Sequence, residues 1–200
     1  LKIHIIMKKL FLFTISILLV LPMMAKTEKK WNFTVNDKLQ VVVEQVFPTS
    51  KDVSTAMKDV RIAFKKQTFE SLVQLETDDR NVIEFEILKN TKWRYNPFAG
   101  YFYEYMNFNL KIVYEGDHAR VIASGFELRN KYEGYGKVNR IESFSSMIEV
   151  YEDYKAKMES GELKGKEKKE AQDTIEDTDD SFNKCQEELD KLFDVIKKAL

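Results

Sequence analysis

The chain has 200 residues and carries 32 basic and 33 acidic side chains, a formal charge of −1. Phosphate backbones need a concentrated basic surface, so this balance argues against a nucleic-acid partner. A single cysteine, Cys185, excludes an internal disulfide, while 12% aromatic residues supply the bulk for a core without one.

Residues 7–25 have the layout of a secretory leader. Met7 is followed by Lys8 and Lys9, then by an apolar run from Leu10 to Leu21, then by Pro22, Met23, Met24 and Ala25. The run is shorter than the roughly 20 apolar residues of a membrane-spanning helix. Cleavage is expected after Ala25, where a small residue precedes the polar stretch from Lys26 to Lys30. The product would be exported, either periplasmic or released. Left uncleaved, the leader would be the chain's one contact with a membrane. Removing residues 1–25 takes away Lys2, Lys8 and Lys9 and no acid, which leaves 29 basic against 33 acidic residues, a charge of −4.

From Trp31 to Phe47 the residues are β-rich, with Asn36-Asp37 as a turn, and one or two strands are expected. Pro48, Thr49 and Ser50 stop the strand, with Thr49 as cap and Asp52 three residues later. Val53, Ala56, Met57, Val60 and Phe64 follow at helical spacing. Residues 69–76 then lead into a polar turn, after which Ile83, Phe85 and Ile87 alternate with Glu84 and Glu86. A long strand has Phe102, Met106, Phe108, Leu110, Ile112 and Tyr114 on one parity, and Glu115-Gly116-Asp117 turns it into residues 118–129. At 141–158 the period changes to that of a helix marked by Phe144, Met147, Ile148, Tyr151, Tyr154 and Met158. Residues 159–180 are dominated by Lys, Glu and Asp and read as a solvated, charged linker or a frayed helix. An amphipathic helix over 181–200, capped by Asp180 or Ser181, carries Phe182, Cys185, Leu189, Leu192, Phe193 and Ile196 along one stripe.

The expected architecture is therefore α+β: a leader at 1–25, a domain at 26–158 with an antiparallel sheet of about five strands and helices on one face, the linker at 159–180, and the C-terminal helix at 181–200. This order resembles the secreted bacterial family called domain of unknown function 4468. The resemblance rests on the WNFTVND opening at Trp31 to Asp37, the helix from Met57 to Phe64, and the hairpin FNLKIVYEGDHARVIASGF from Phe108 to Phe126. It spans residues 31–158 and implies a TBP-like fold, β-α-β-β-β-β-α, and a Gram-negative source of the Bacteroides type. It implies no reaction, cofactor or site residue. DNA binding does not travel with the fold name, because fold does not dictate function and the chain is acidic.

Recognisable catalytic arrangements are missing from the sequence. After the leader, His118 is the one histidine, and neither a zinc ligand set nor a Ser-His-Asp arrangement can be assembled around it. Glu84 and Glu86 alternate with apolar residues as a water-facing side does, which suits solvation better than a paired-carboxylate mechanism. Asp177, Asp179, Ser181 and Glu188 fall on positions 1, 3, 5 and 12 of a calcium loop, yet Phe182 stands where that loop needs glycine. No metal or cofactor is expected.

The feature that points to function is aromatic. Tyr101, Tyr103 and Tyr105 have the parity opposite to Phe102 and Met106, so they share the other face of the sheet, with Trp93, Tyr95 and Phe98 at its rim. A tyrosine ring with a polar tip suits protein or carbohydrate recognition. The chain is accordingly read as a non-enzymatic envelope protein that binds a protein or glycan through this face or through its last helix. Two alternatives stay open: a hydrolase acting on envelope or dietary polymers, and a protein that self-associates through Phe182, Leu189, Leu192, Phe193 and Ile196.

Overall fold

The computed structural model describes residues 28–96, 100–133 and 140–200. The leader, and with it the cleavage site at Ala25, lies outside the described residues. In chain order the elements are β1 (Val42–Pro48), α1 (Val53–Lys65), β2 (Ser71–Leu75), β3 (Val82–Asn96), β4 (Gly100–Glu115), β5 (His118–Glu133), β6 (Arg140–Ser143), α2 (Phe144–Glu159) and α3 (Gly165–Ala199). All strand pairs are antiparallel, and the sheet runs β1-β5-β4-β3-β2. The fold is α+β as expected, with the five strands of that path and, among the described residues, a short sixth. The additional strand is β6, which pairs Ile141 with Arg129 and holds the first residues of the stretch expected to be helical. Ser143 then starts α2 by accepting a hydrogen bond from the Ser146 amide.

Alternation decides which side of the sheet is the core. Ile83, Phe85 and Ile87 of β3, Met106 to Tyr114 at even positions of β4, and Val121 and Ala123 of β5 are all buried on the side that carries the helices. In α1, Ala56, Met57, Val60 and Phe64 supply the matching stripe. Its cap is Asp52, not Thr49: the Asp52 carboxylate accepts from the Thr55 amide and hydroxyl at 3.0 and 2.7 Å. Those hydrogen bonds hold its carboxyl below the ordinary aspartate range. Thr49 instead ties the loop between β1 and α1 to the end of α3, its hydroxyl donating to the Leu200 carbonyl at 2.8 Å.

Of the two readings of the charged stretch at 159–180, the structure has the helical one. From Gly165 it is helix, continuous with the amphipathic segment, and α3 is 35 residues long, about 50 Å at 1.5 Å per residue. Ala171, Ile175, Thr178, Phe182, Cys185, Leu189, Leu192, Ile196 and Ala199 are buried at alternating spacings of four and three. That is the seam of a helix packed along its whole length. Asp180 and Ser181 therefore sit in mid-helix rather than at a cap. The C-terminal stripe packs within its own chain, with Phe182, Leu189 and Ile196 fully buried. Self-association through Phe182, Leu189, Leu192, Phe193 and Ile196 would have to displace that packing.

Residues 28–35 lie as a strap along α3. The Asn183 side chain accepts from the Lys30 and Trp31 amides at 2.7 and 3.1 Å and donates to the Glu28 carbonyl at 2.9 Å. Gln186 accepts from the Asn32 amide. The Trp31 indole donates to Asp179 at 2.8 Å, and its ring meets Tyr151 and Phe182 edge-on. A tight turn at Asn36–Gln40 returns the chain to β1, closed by a Val35–Val41 bridge and by Asn36, whose side chain accepts from the Lys38 and Gln40 amides. Leu39 holds φ at +58° there, a left-handed conformation that costs a side chain with Cβ about 1 kcal/mol.

Tyr114 is a polar exception inside this core. Its hydroxyl is buried without a hydrogen-bond partner among the described residues. Burial, opposed by the Arg61 charge and reinforced by that of Asp59, pushes the phenol up to about 12 from an ordinary 10.0. The folded state thus holds this proton more tightly than the unfolded chain. Its contribution is complete below pH 10 and is lost as pH rises toward 12. Tyr114→Phe should leave stability at pH 7 unchanged or raised by about 1 kcal/mol and should flatten the alkaline loss, as read by urea unfolding at pH 7 and 11. A large loss at pH 7 would mean that the hydroxyl has a partner.

Candidate functional site

The face of the sheet opposite the helices is where the aromatic residues gather, and a bulge decides one of them. Counting by two from Ile83, Phe85 and Ile87, Trp93 would point at the helices. Between Asn90 and Lys92 the register slips by one residue, with Thr91 extra, so that Trp93 pairs with Tyr103 and Lys92 with Glu104. The slip turns Trp93 onto the open face, where it is 65% exposed. A second slip, opposite Phe108, places Gly125 at φ +67° and keeps both Ala123 and Phe126 on the core side. A Cβ at Gly125 would come within 3.3 Å of the Asn109 amide.

Tyr101, Tyr103 and Tyr105 form a ladder along β4. Successive ring centroids are 6.1 and 6.2 Å apart, with planes 22° from parallel. Exposure falls along the ladder: Tyr101 is 45% exposed, Tyr103 half-buried and Tyr105 only 7% exposed. Burial first, and the Glu70 charge second, push the Tyr105 hydroxyl above its ordinary range. Across β5, Lys131 stands opposite Tyr103 and Arg129 opposite Tyr105. Arg129 is held by Glu127 at 2.9 Å. Tyr95 pairs its backbone with Tyr101; its side chain, and all of Phe98, lie outside the described residues. Tyr105 is thus the buried foot of the ladder, and the accessible aromatic surface among the described residues is Trp93, Tyr101 and Tyr103. Ile141 on β6, 58% exposed and paired with Arg129, extends this face in a way that its place in an expected helix had hidden.

The other sequence candidates are not brought together. Glu84 and Glu86 lie on the open face, opposite Lys111 and Asn109. His118 sits at the β4–β5 turn, where hydrogen bonds to the carboxylates of Asp117 and then Glu115 outweigh partial desolvation and hold its pKa above the ordinary value. Cys185 is fully buried on the core side of α3, and burial pushes its thiol well up. Asp177, Asp179, Ser181 and Glu188 follow one another along a continuous helix, which cannot wrap an ion. Among the described residues no group of three or more His, Cys, Asp or Glu could hold a metal, and no helix is long and apolar enough to cross a membrane.

One polar spot escaped sequence reasoning. Glu104 has the parity of the core residues and is 3% exposed, with the Ser181 hydroxyl donating to it at 2.9 Å. Beside it lies a cleft of about 460 Å³ between the sheet, α2 and α3. The signal was available in β4, as an acid on an otherwise apolar parity.

No family model and no curated protein matches this chain. Solved structures similar to it include a TBP-like protein from Parabacteroides distasonis, with a TM-score of 0.49 and 11% identity over 82% of this chain and 97% of that one. Another is a DUF4468 family protein from Bacteroides ovatus, with a TM-score of 0.37 and 12% identity over 54% of this chain and 64% of that one.

The exposures separate surface from scaffold. Trp93→Ala and Tyr101→Ala should each shift stability by less than about 0.5 kcal/mol, whereas Phe182→Ala should cost about 3–5 kcal/mol. Urea midpoints of the three variants check this. A costly Trp93→Ala would show that the open face is covered.

Proposed function

We propose that the chain is an exported, non-enzymatic binding module of the cell envelope, which engages a protein partner through the open face of its sheet. The observation that carries this reading is a helix-free sheet face, among the described residues, on which Trp93 and Tyr101 remain exposed although the chain has a buried core for such side chains. Export is supported by the leader pattern from Lys8 to Ala25. A protein is favoured over a glycan by the residue types that meet there. Trp, Tyr and Arg dominate the energetic centres of protein interfaces, and Arg129 is already fixed by Glu127. Mixed charge on this face, with Lys131 and Glu127 flanking the ladder on β5 and the Glu84–Lys111 pair farther along β3 and β4, supplies the polar surroundings that such interfaces carry.

The test uses immobilised residues 26–200 against solubilised envelope extract, in parallel with a Trp93→Ala, Tyr101→Ala double variant that stays folded by circular dichroism. One protein, identified by mass spectrometry, should be retained by the parent and lost by the variant. Its purified form should bind the variant at least about tenfold more weakly, or about 1.4 kcal/mol. Equal binding by parent and variant would remove the open face from the proposal. Retention of a periodate-sensitive glycan instead would replace the protein partner. N-terminal sequencing of the exported product should begin at Lys26.

A further inference from the structure

The strap and the turn behind it carry an inference that does not depend on what the open face binds. The strap is held like a docked peptide. Asn183 and Gln186 bond to its backbone, Asp179 accepts its indole, and Phe33 closes on Phe126, Phe144 and Phe182. None of these contacts depends on which chain supplies the strap. What joins it to its own domain is the turn Asn36–Gln40, secured by the Val35–Val41 bridge and by the backbone and side-chain hydrogen bonds of Asn36 within the turn. That turn contains Leu39 at φ +58°, the one non-glycine residue with positive φ among the described residues. A turn of this shape favours glycine at the left-handed position.

We propose that residues 28–35 exchange between two copies of the chain, giving a dimer in which each α3 is clamped by the strap of the other copy. Opening the turn leaves every buried contact of the strap intact. It relieves the left-handed conformation of Leu39 and gives up, within one chain, the Val35–Val41 bridge and the backbone and side-chain hydrogen bonds of Asn36. Exchange of an identical element is a low-cost route to a dimer, and hinge loops under strain favour it. Closure within one chain competes at an effective concentration on the order of millimolar, so the dimer belongs to high local concentration.

The experiment uses residues 26–200, which hold every described element, refolded at micromolar to millimolar concentration and measured by light scattering after size exclusion. The parent should show a dimer that grows with concentration. Leu39→Gly, which accepts the closed turn, should need about tenfold more protein for the same dimer fraction. Leu39→Pro, which cannot adopt positive φ, should need at least about tenfold less. A Val35→Cys, Val41→Cys pair, placed on the bridge partners, should be monomeric when oxidised and should regain the parent's dimer when reduced. A folded Leu39→Pro variant that stays monomeric to millimolar concentration would overturn the proposal. So would a dimer that persists with the oxidised pair in place.

Discussion

The fold depends on one aromatic cluster. Phe182 of α3 lies 4.5 Å, ring to ring, from Phe144 of α2, 5.0 Å from Trp31 and 5.6 Å from Phe33 of the strap. Phe144 in turn stacks on Phe126 of β5, and Phe126 on Phe108 of β4. Strap, sheet and two helices therefore meet at a single column of rings. Each ring excludes water from its neighbours and adds the pair geometry that aromatic rings favour. Removing one member would loosen four elements together, because each of them contributes to or packs on this column.

Fixing α3 at that column has two consequences. Its seam of nine positions covers the core side of the sheet, so the opposite side is left to solvent among the described residues. Its length also carries polar groups into contact with buried partners. Asp179 accepts from both Trp31 and Tyr151, and burial together with the neighbouring Asp179 charge pushes the Tyr151 phenol far above its ordinary value. A carboxylate at that depth is tolerable because neutral donors reach it.

The two register slips distribute side chains between these sides. At Thr91 the slip moves Trp93 out of the core, and at Gly125 it keeps Phe126 inside. The same sheet thereby serves as scaffold on one side and as aromatic surface on the other. Tyr105 marks the boundary, since it belongs to the surface ladder by parity and to the interior by burial.

Local periodicity by itself determined the long β4–β5 hairpin, the stripe of α1, and the placement of Tyr101, Tyr103 and Tyr105 on one side of β4. Such patterns repeat within a few residues, so neighbours along the chain are enough to read them. Only the tertiary structure decided the rest. A bulge leaves no trace in the period until the partner strand is known, so the face of Trp93 was hidden. The first half of α3 looked like a linker or a frayed helix because Ala171 and Ile175 are sparse among charges, and their burial depends on packing against other elements. The strap could not be placed, because Trp31 finds Asp179 across 148 positions of sequence. Contacts at that separation are set by how the elements pack, and packing is not written in any one segment.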